Sequence, residues 1–229
     1  MCKANDGVLE DLLYSCHYLQ KLSLAGLTLN SEMIKHLSLQ NGHTLEVLDL
    51  QCSKGWNLTS IQHIIKNCQQ LREINFCNTS LSSQSIEFLV NNLTPRIEKL
   101  NLDFMTYFSD EHLNTLVTRA RNIKALSLRG TQITDDSLIS ITNQLNTTDL
   151  EELDVRDTHV DLNKLIELRS MTKLRLLNCW HLNNNEIKKV KKELPHLSIN
   201  GENLKIASPY HTFKSTNGLW EIEALPCKL

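Results

Sequence analysis

Hydrophobic residues between positions 123 and 145 change from one period to another. Ile123, Leu126 and Leu128 follow the spacing L-x-x-L-x-L, which is typical of a short strand. The next apolar residues recur at helical spacing, at Leu138, Ile141 and Leu145. Between the two patterns, Thr134, Asp135 and Asp136 supply side-chain oxygens that can accept hydrogen bonds from the free N–H groups of a helix start. The stretch therefore predicts a strand, a turn and a helix.

This unit recurs along the chain. Its first strand anchor occurs at Leu19, Leu45, Leu71, Ile97, Ile123, Leu150 and Leu174, at spacings of 26, 26, 26, 26, 27 and 24 residues. A shortened eighth copy follows in Leu194-Pro-His-Leu197-Ser-Ile199. Leucine-rich repeats have this length, and each repeat must stack on its neighbours to bury its apolar face. We therefore predict an α/β solenoid of horseshoe shape, with about eight parallel strands on the concave face and helices on the convex face.

The repeats also set the domain organisation. They run from about residue 8 to residue 200, which predicts one leucine-rich-repeat domain over residues 1–200 and a C-terminal tail over residues 201–229. The apolar residues Val8, Leu9, Leu12 and Leu13 have helical spacing, but no strand precedes them, so the domain begins in mid-repeat. A solenoid end normally needs a cap. We interpret the chain as a fragment or as a domain whose first repeat is covered by another domain.

Composition narrows the class of protein. The chain is 41% hydrophobic and has a formal net charge of -2, which gives no reason to expect a nucleic acid or an anionic membrane as partner. No apolar stretch approaches the ~18 residues of a membrane span, and residues 1–6 lack the apolar core of a signal peptide. Seven cysteines at irregular spacings indicate reduced thiols. We expect a soluble intracellular protein of the nucleus and cytoplasm.

The sequence carries no sign of an enzyme. The commonest phosphate-binding, nucleophile and zinc-protease motifs are absent. Cys179 and His181 could ligate a metal, but no second pair at zinc-site spacing accompanies them, and Cys179 is itself a strand anchor. The acidic pairs at residues 110–111 and 135–136 lie at expected helix starts, where carboxylates interact favourably with the helix dipole. We predict no catalytic residue, no metal and no cofactor.

Protein binding is the function that the predicted surface favours. The residue between the second and third strand anchors is small and polar in every repeat, and we expect it to line the open concave face: Ser23, Asp49, Asn75, Asn101, Ser127, Asp154, Asn178 and Ser198. The residue after the third anchor gains charge and size in the later repeats, at Asp103, Arg129, Arg156 and Trp180. Arg and Trp are enriched at binding hot spots, and two neighbouring guanidinium groups can hold a carboxylate or a phosphate.

The predicted partner-binding residues are therefore Arg129, Arg156, Trp180, Asp103, Asp154 and Asn178. An alternative is that the face is simply solvated, with Asp103 and Asp154 neutralising the two arginines.

Two stretches of the chain resemble a known family. Leu12-Leu13-Tyr-Ser-Cys16-His-Tyr-Leu19-Gln20-Lys-Leu22-Ser23-Leu24 is similar to the first repeats of F-box/leucine-rich-repeat proteins like S-phase kinase-associated protein 2. The end is similar too, in Leu194-Pro195-His196-Leu197-Ser-Ile199-Asn200, then Ile206-Ala207-Ser-Pro209, then Trp220-Glu-Ile222. The resemblance implies the substrate-recognition module of an SCF-type cullin-RING E3 ubiquitin ligase. Its substrate would be a cell-cycle or other regulatory protein, presented in phosphorylated form with a cyclin-dependent-kinase accessory subunit.

The resemblance also has departures. No F-box is found in the sequence, so residues 1–229 alone are not expected to bind the ligase adaptor. Where the family has an aromatic, an acidic and a basic contact residue, this chain has Asn78, Gly130 and Asp157. A free-standing protein-binding scaffold without a ubiquitin role is the alternative function.

The resemblance bears on the tail as well, because the family folds its tail back along the concave face. The large apolar residues Ile206, Trp220 and Ile222 are unusual for a solvated tail. We therefore predict that they pack on the strands.

Overall fold

The computed structural model describes residues 14–145, 149–179 and 184–199. In these residues eight parallel strands form one sheet, in the same order as in the chain. The strands are β1 (Lys21–Ser23), β2 (Val47–Asp49), β3 (Glu73–Asn75), β4 (Lys99–Asn101), β5 (Ala125–Ser127), β6 (Glu152–Asp154), β7 (Leu176–Asn178) and β8 (Ser198–Ile199). The predicted parallel sheet of a leucine-rich-repeat solenoid is confirmed.

A helical element follows each of the first seven strands. The α-helices are α1 (Ser31–Asn41), α2 (Leu58–Asn67), α3 (Ser83–Asn92), α4 (Asp110–Arg119), α5 (Asp135–Leu145) and α6 (Asn184–Glu193), and a 3-10 helix spans Leu162–Ser170. Side chains cap several of the starts, as where Asn30 accepts from the Met33 N–H at 2.8 Å and Asn57 from the Ser60 N–H at 2.9 Å. These bonds satisfy N–H groups that have no partner inside the helix.

The strand anchors form a continuous core between the sheet and the helices. Each of the 21 anchors of the first seven repeats is at most 2% exposed. Cys68, three residues before an anchor, is 1% exposed, and Cys16 packs against the core at the equivalent position. Both thiols therefore contribute to the packing of the core.

The eighth strand is present, but the predicted register is wrong. Ser198 lies opposite Leu176 and Ile199 opposite Leu177, so Ile199 occupies the place of a second anchor and not of a third. The Leu197 N–H donates to the Leu194 carbonyl at 3.2 Å, as the Leu71 N–H does to the Cys68 carbonyl at 3.4 Å. Leu197 is therefore the first anchor, and this repeat lacks one residue before the second. Leu194 directly follows α6, and its N–H donates to the Val190 carbonyl at 2.8 Å.

Charged side chains pair across the amino-terminal ends of the strands. Lys99 Nζ lies 2.8 Å from Glu73 Oε1, and Lys124 Nζ lies 2.8 Å from Glu98 Oε2. The hydrogen bond from Lys124 lowers the pKa of Glu98. Lys173 pairs in the same way with Asp149, and Arg175 with Glu151. Such partly exposed pairs contribute little to stability, but they neutralise this edge of the sheet.

Candidate partner-binding surface

The opposite edge of the sheet, at the carboxyl ends of the strands, is shaped by a repeated left-handed turn. The second residue after the third anchor has a positive φ in each of the first six repeats: Gly26 (74°), Cys52 (56°), Asn78 (54°), Phe104 (59°), Gly130 (65°) and Asp157 (57°). Non-glycine residues adopt this conformation at a cost of about 1 kcal/mol or more. The turn sets side chains of neighbouring repeats beside one another. We call the set Asp103, Phe104, Arg129, Gly130, Arg156 and Asp157 the rim.

The polar residues at the ends of the strands hold this turn in place. An oxygen of Asp49, Asn75, Asn101 or Asp154 accepts the backbone N–H two residues later, at 2.8–3.1 Å. These side chains were expected to line the open concave face, but six members of that predicted set are buried: Asp49 (2% exposed), Asn75 (6%), Asn101 (4%), Ser127 (1%), Asp154 (5%) and Ser198 (9%). The four acceptors, Asp49, Asn75, Asn101 and Asp154, thus satisfy buried backbone donors of the turns.

In the fifth repeat, the backbone N–H of the turn is accepted by a side chain of the fourth repeat. Ser127 is too short to accept the N–H of Arg129, and Asp103 takes its place. Asp103 Oδ1 accepts the Arg129 N–H at 3.0 Å and the Ser127 hydroxyl at 2.5 Å. Burial, with a smaller contribution from the nearby Asp154 carboxylate, raises the pKa of this carboxyl group to about 6. Asp103 therefore positions Arg129 through the backbone.

Arg129 is also held by its side chain. Its Nε donates to Asp157 Oδ2 at 2.6 Å, and its Cζ lies 5.1 Å from the centroid of the Phe104 ring. The ring lies against Gly130, where an added Cβ would be 2.5 Å from Phe104 Cδ1. Glycine at this position thus permits both the positive φ and the seat of the ring. Phe104 remains 41% exposed.

Arg156 forms a bidentate hydrogen-bonded ion pair with Asp154. Its Nε lies 3.0 Å from each carboxylate oxygen, and its Nη2 lies 2.5 Å from Oδ2. The bond raises the pKa of the Arg156 guanidinium. Asn178 Nδ2 completes the arrangement at 3.4 Å from the same Oδ2. Because Asp154 is buried, it orients Arg156 and offers its own oxygens little exposure to a partner.

A second exposed aromatic side chain stands near Phe104 in the loop from β4 to α4. Tyr107 is 63% exposed, whereas Met105 and Phe108 of the same loop are buried at 2% and 0% exposure. The buried pair fixes the loop on the core and leaves the other two side chains accessible. Aromatic and arginine side chains at one place are typical of a binding hot spot.

The structure brings most of the predicted site residues together. Five of them lie on or just after the adjacent strands β4 to β7: Asp103, Arg129, Arg156, Asp154 and Asn178. The two arginines are neutralised, as the alternative interpretation held, but the partner of Arg129 is Asp157 and not Asp103. The predicted residues Trp180, Ile206, Trp220 and Ile222 lie outside the described residues.

Sequence reasoning missed Phe104 and the pairing role of Asp157. The signal for Phe104 was its position: it aligns with Gly26 and Gly130 in the repeat, where a large side chain is unexpected. The signal for Asp157 was its place one residue after Arg156, next to the column of arginines.

The described residues contain no group of three or more His, Cys, Asp or Glu side chains that could hold a metal ion. Burial raises the pKa of the Cys179 thiol to about 12, since this residue is a strand anchor. None of the helices described here is both long and apolar enough to cross a membrane.

Comparison with known proteins agrees with the fold. The family model described as the SKP2 LRR domain matches residues 1–229. A solved complex of Rad7 and Elc1 in yeast is similar over 76% of this chain and 44% of the matched chain, with 16% identity and a TM-score of 0.52. Actin-binding site 2 of leiomodin-1 matches over 59% of this chain and 86% of that chain, with 17% identity and a TM-score of 0.44. Since the family model spans every residue of the sequence, the chain belongs to the SKP2 leucine-rich-repeat domain family.

Proposed function

We propose that this chain is the non-enzymatic substrate-recognition part of an SCF-type ubiquitin ligase, and that the rim is where it binds its protein partner. Membership of the family supports the ligase role. The similarity to the complex of Rad7 and Elc1 supports the repeat fold on which the proposal rests. The family resemblance favours a cell-cycle or other regulatory protein as the partner, held for ubiquitin-dependent degradation.

The observation that carries the proposal is the exposed Phe104 stacked on Arg129. A phenylalanine in a left-handed turn costs backbone energy, and with 41% of its surface exposed it gains less from burial in this chain alone than a core phenylalanine does. Strained residues of this kind cluster at functional sites. Covering Phe104 and Tyr107 with a partner would remove apolar surface from water on both sides.

The charges of the rim define the partner further. Its two arginines stand beside Asp103 and Asp157 of the rim and beside the buried Asp154, and each guanidinium already donates to one of these carboxylates. Such a rim suits a partner with apolar side chains and charges of both signs better than it suits a lone phosphate. Recognition of a phosphorylated partner would then require an accessory subunit to bind the phosphate.

A photo-crosslinking amino acid at position 104 tests the site. The complete chain carrying it in cells should capture a distinct protein, and the same label at Tyr18 of the first repeat, which is 58% exposed, should not. Arg129→Ala and Tyr107→Ala should each weaken binding of the captured protein at least tenfold, because each removes a hot-spot side chain. Equal capture from both positions would contradict a binding site at the rim.

The ubiquitin role is tested separately from the site. Depleting the chain should lengthen the half-life of the captured protein, and Arg129→Ala should fail to restore its turnover. The alternative function, a scaffold without a ubiquitin role, predicts an unchanged half-life. In that case the rim would remain a binding site and the ligase assignment would fall.

A further inference from the structure

A groove of about 460 Å³ lies between the 3-10 helix and α6. This volume is within the ~300–1,000 Å³ of typical ligand pockets. The groove is on the helical side of the solenoid, whereas the rim is at the edge of the sheet. The two surfaces therefore consist of different residues.

The groove arises from the unusual sixth and seventh repeats. Leu150 and Leu174 are only 24 residues apart, and the sixth repeat has a 3-10 helix where the first five have α-helices. A 3-10 helix is more tightly wound, so it fills less of the space between its neighbours. On the other side of the groove, α6 presents charged residues where an apolar seam would be needed. As a result, α6 packs against the 3-10 helix less extensively than the other neighbouring helices pack on each other.

The floor of the groove is apolar and belongs to the core. Leu165 and Leu194 are 1% and 0% exposed, Val190 is 9% exposed, and Ile166 forms a half-buried wall. An occupant could therefore place apolar side chains on an existing apolar surface. The floor gives the groove the character of a protein-docking site and not of a water-filled crevice.

The charged residues that line the groove are mostly acidic. Asp161, Glu186 and Glu193 line it against one cation, Lys189, which leaves a net charge of −2. Lys189 Nζ donates to Asn163 Oδ1 at 2.8 Å and so bridges the two walls at one end. A segment with apolar and basic side chains would therefore complement the groove in charge.

We propose that this groove binds a segment of another protein that inserts one or two apolar side chains and flanks them with lysine or arginine. An amphipathic helix is the suitable form, since α6 and the 3-10 helix leave a trough between them, and turn-spaced side chains can enter it. The site would give the chain a second protein contact on the helical face, separate from the rim.

A selection from random 12-residue peptides tests the proposal on the complete 229-residue chain. Enriched peptides should place Lys or Arg next to Leu, Ile, Met or Phe. Glu193→Lys, which reverses one charge of the groove, should weaken an enriched peptide at least tenfold in fluorescence anisotropy. Glu167→Lys makes the same change on the 3-10 helix outside the groove lining, and it should change binding less than twofold.

A second variant tests the shape of the groove and not its charge. Ile166→Trp should fill the groove and weaken the same peptide at least tenfold, with an unchanged thermal midpoint showing that the fold is kept. Three outcomes would overturn the proposal: no enriched peptide, enrichment of acidic peptides, or equal weakening by Glu193→Lys and Glu167→Lys. Peptide binding that emerges only after deletion of residues 201–229 would also overturn it, because the tail would then be the occupant.

Discussion

The ring of Phe104 occupies the space that a side chain on Gly130 would need: a Cβ there would lie 2.5 Å from Cδ1 and 2.9 Å from Cε1. The two residues come from neighbouring repeats and have the same place in the repeat. Because Gly130 has no side chain, the ring of Phe104 from the preceding repeat can lie against it. Arg129 then stacks on the same ring.

This relationship predicts that Gly130→Ala destabilises the protein by two separable effects. The positive φ of 65° costs about 1–2 kcal/mol for alanine, and displacement of the ring adds to that cost. Gly26→Ala is the matched control, because Gly26 has a φ of 74° with nothing within 4 Å of an added Cβ. Urea denaturation should show a larger loss for Gly130→Ala than for Gly26→Ala.

A double mutant identifies the source of the difference. In a Phe104→Ala background, Gly130→Ala should cost no more than Gly26→Ala does, since no ring remains to be displaced. If the difference persists in that background, the ring is not its cause.

Asp103 predicts a dependence of stability on pH. Its pKa of about 6 in the folded protein lies above the ordinary value of 3.8, so the folded state binds more protons than the unfolded state between these two values. The free energy of unfolding therefore falls as the pH rises from about 4 to about 6, by roughly 1–2 kcal/mol after allowance for the partial exposure of the group.

Asp103→Asn should remove this dependence. The amide oxygen can still accept the Arg129 N–H, and it carries no charge to desolvate. We expect the variant to be more stable than the parent at pH 7.5 and about equally stable at pH 4, as measured by urea denaturation at each pH. Asp136→Asn, at an exposed helix start, controls for the loss of a carboxylate elsewhere. A parent and an Asp103→Asn protein that differ equally at both pH values would show that Asp103 does not titrate in this range.

The buried thiols predict slow chemical modification. Burial raises the pKa values of Cys68, Cys77 and Cys179 to about 12, so almost no thiolate is present at pH 8. Iodoacetamide should label them much more slowly in the folded protein than in urea, as followed by mass spectrometry of peptides. Labelling of Cys68 at the same rate in both conditions would show that its repeat opens readily.

The repeat pattern was sufficient to predict the architecture, because each repeat combines the two-residue period of a strand with the 3.6-residue period of a helix. Leu126 and Leu128 had to face the same side of a strand, and Leu138 and Ile141 the same side of a helix. The eighth repeat was assigned to the wrong register for the same reason: Leu194, Leu197 and Ile199 fit the spacing by chance. The pairing of β8 with β7 and the hydrogen bond from Leu197 to Leu194 show which of them is the first anchor.

The site was less predictable, because its geometry comes from turns and not from periodicity. Asp154 fits the description of an exposed polar strand residue, yet a backbone N–H and Arg156 draw it into a buried position. Phe104 follows no period, and its exposure depends on Gly130 in another repeat. The column of Arg129 and Arg156 was found because charge and size changed together along it.

The centre of the core gives the last prediction. Leu126 is 1% exposed on β5, in the middle of the stack, and Leu126→Ala should cost about 2–5 kcal/mol through lost transfer free energy and an unfilled cavity. Leu39 on α1 is 60% exposed, so Leu39→Ala should cost less than ~0.5 kcal/mol. The difference between the two should show in urea denaturation.

Because each repeat is stabilised only by its neighbours, the cavity at β5 also weakens the contact between the two halves of the solenoid. Hydrogen exchange should then speed up in β4 and β6 more than in β1. Uniform acceleration across all the strands would show instead that the solenoid unfolds as a single cooperative unit.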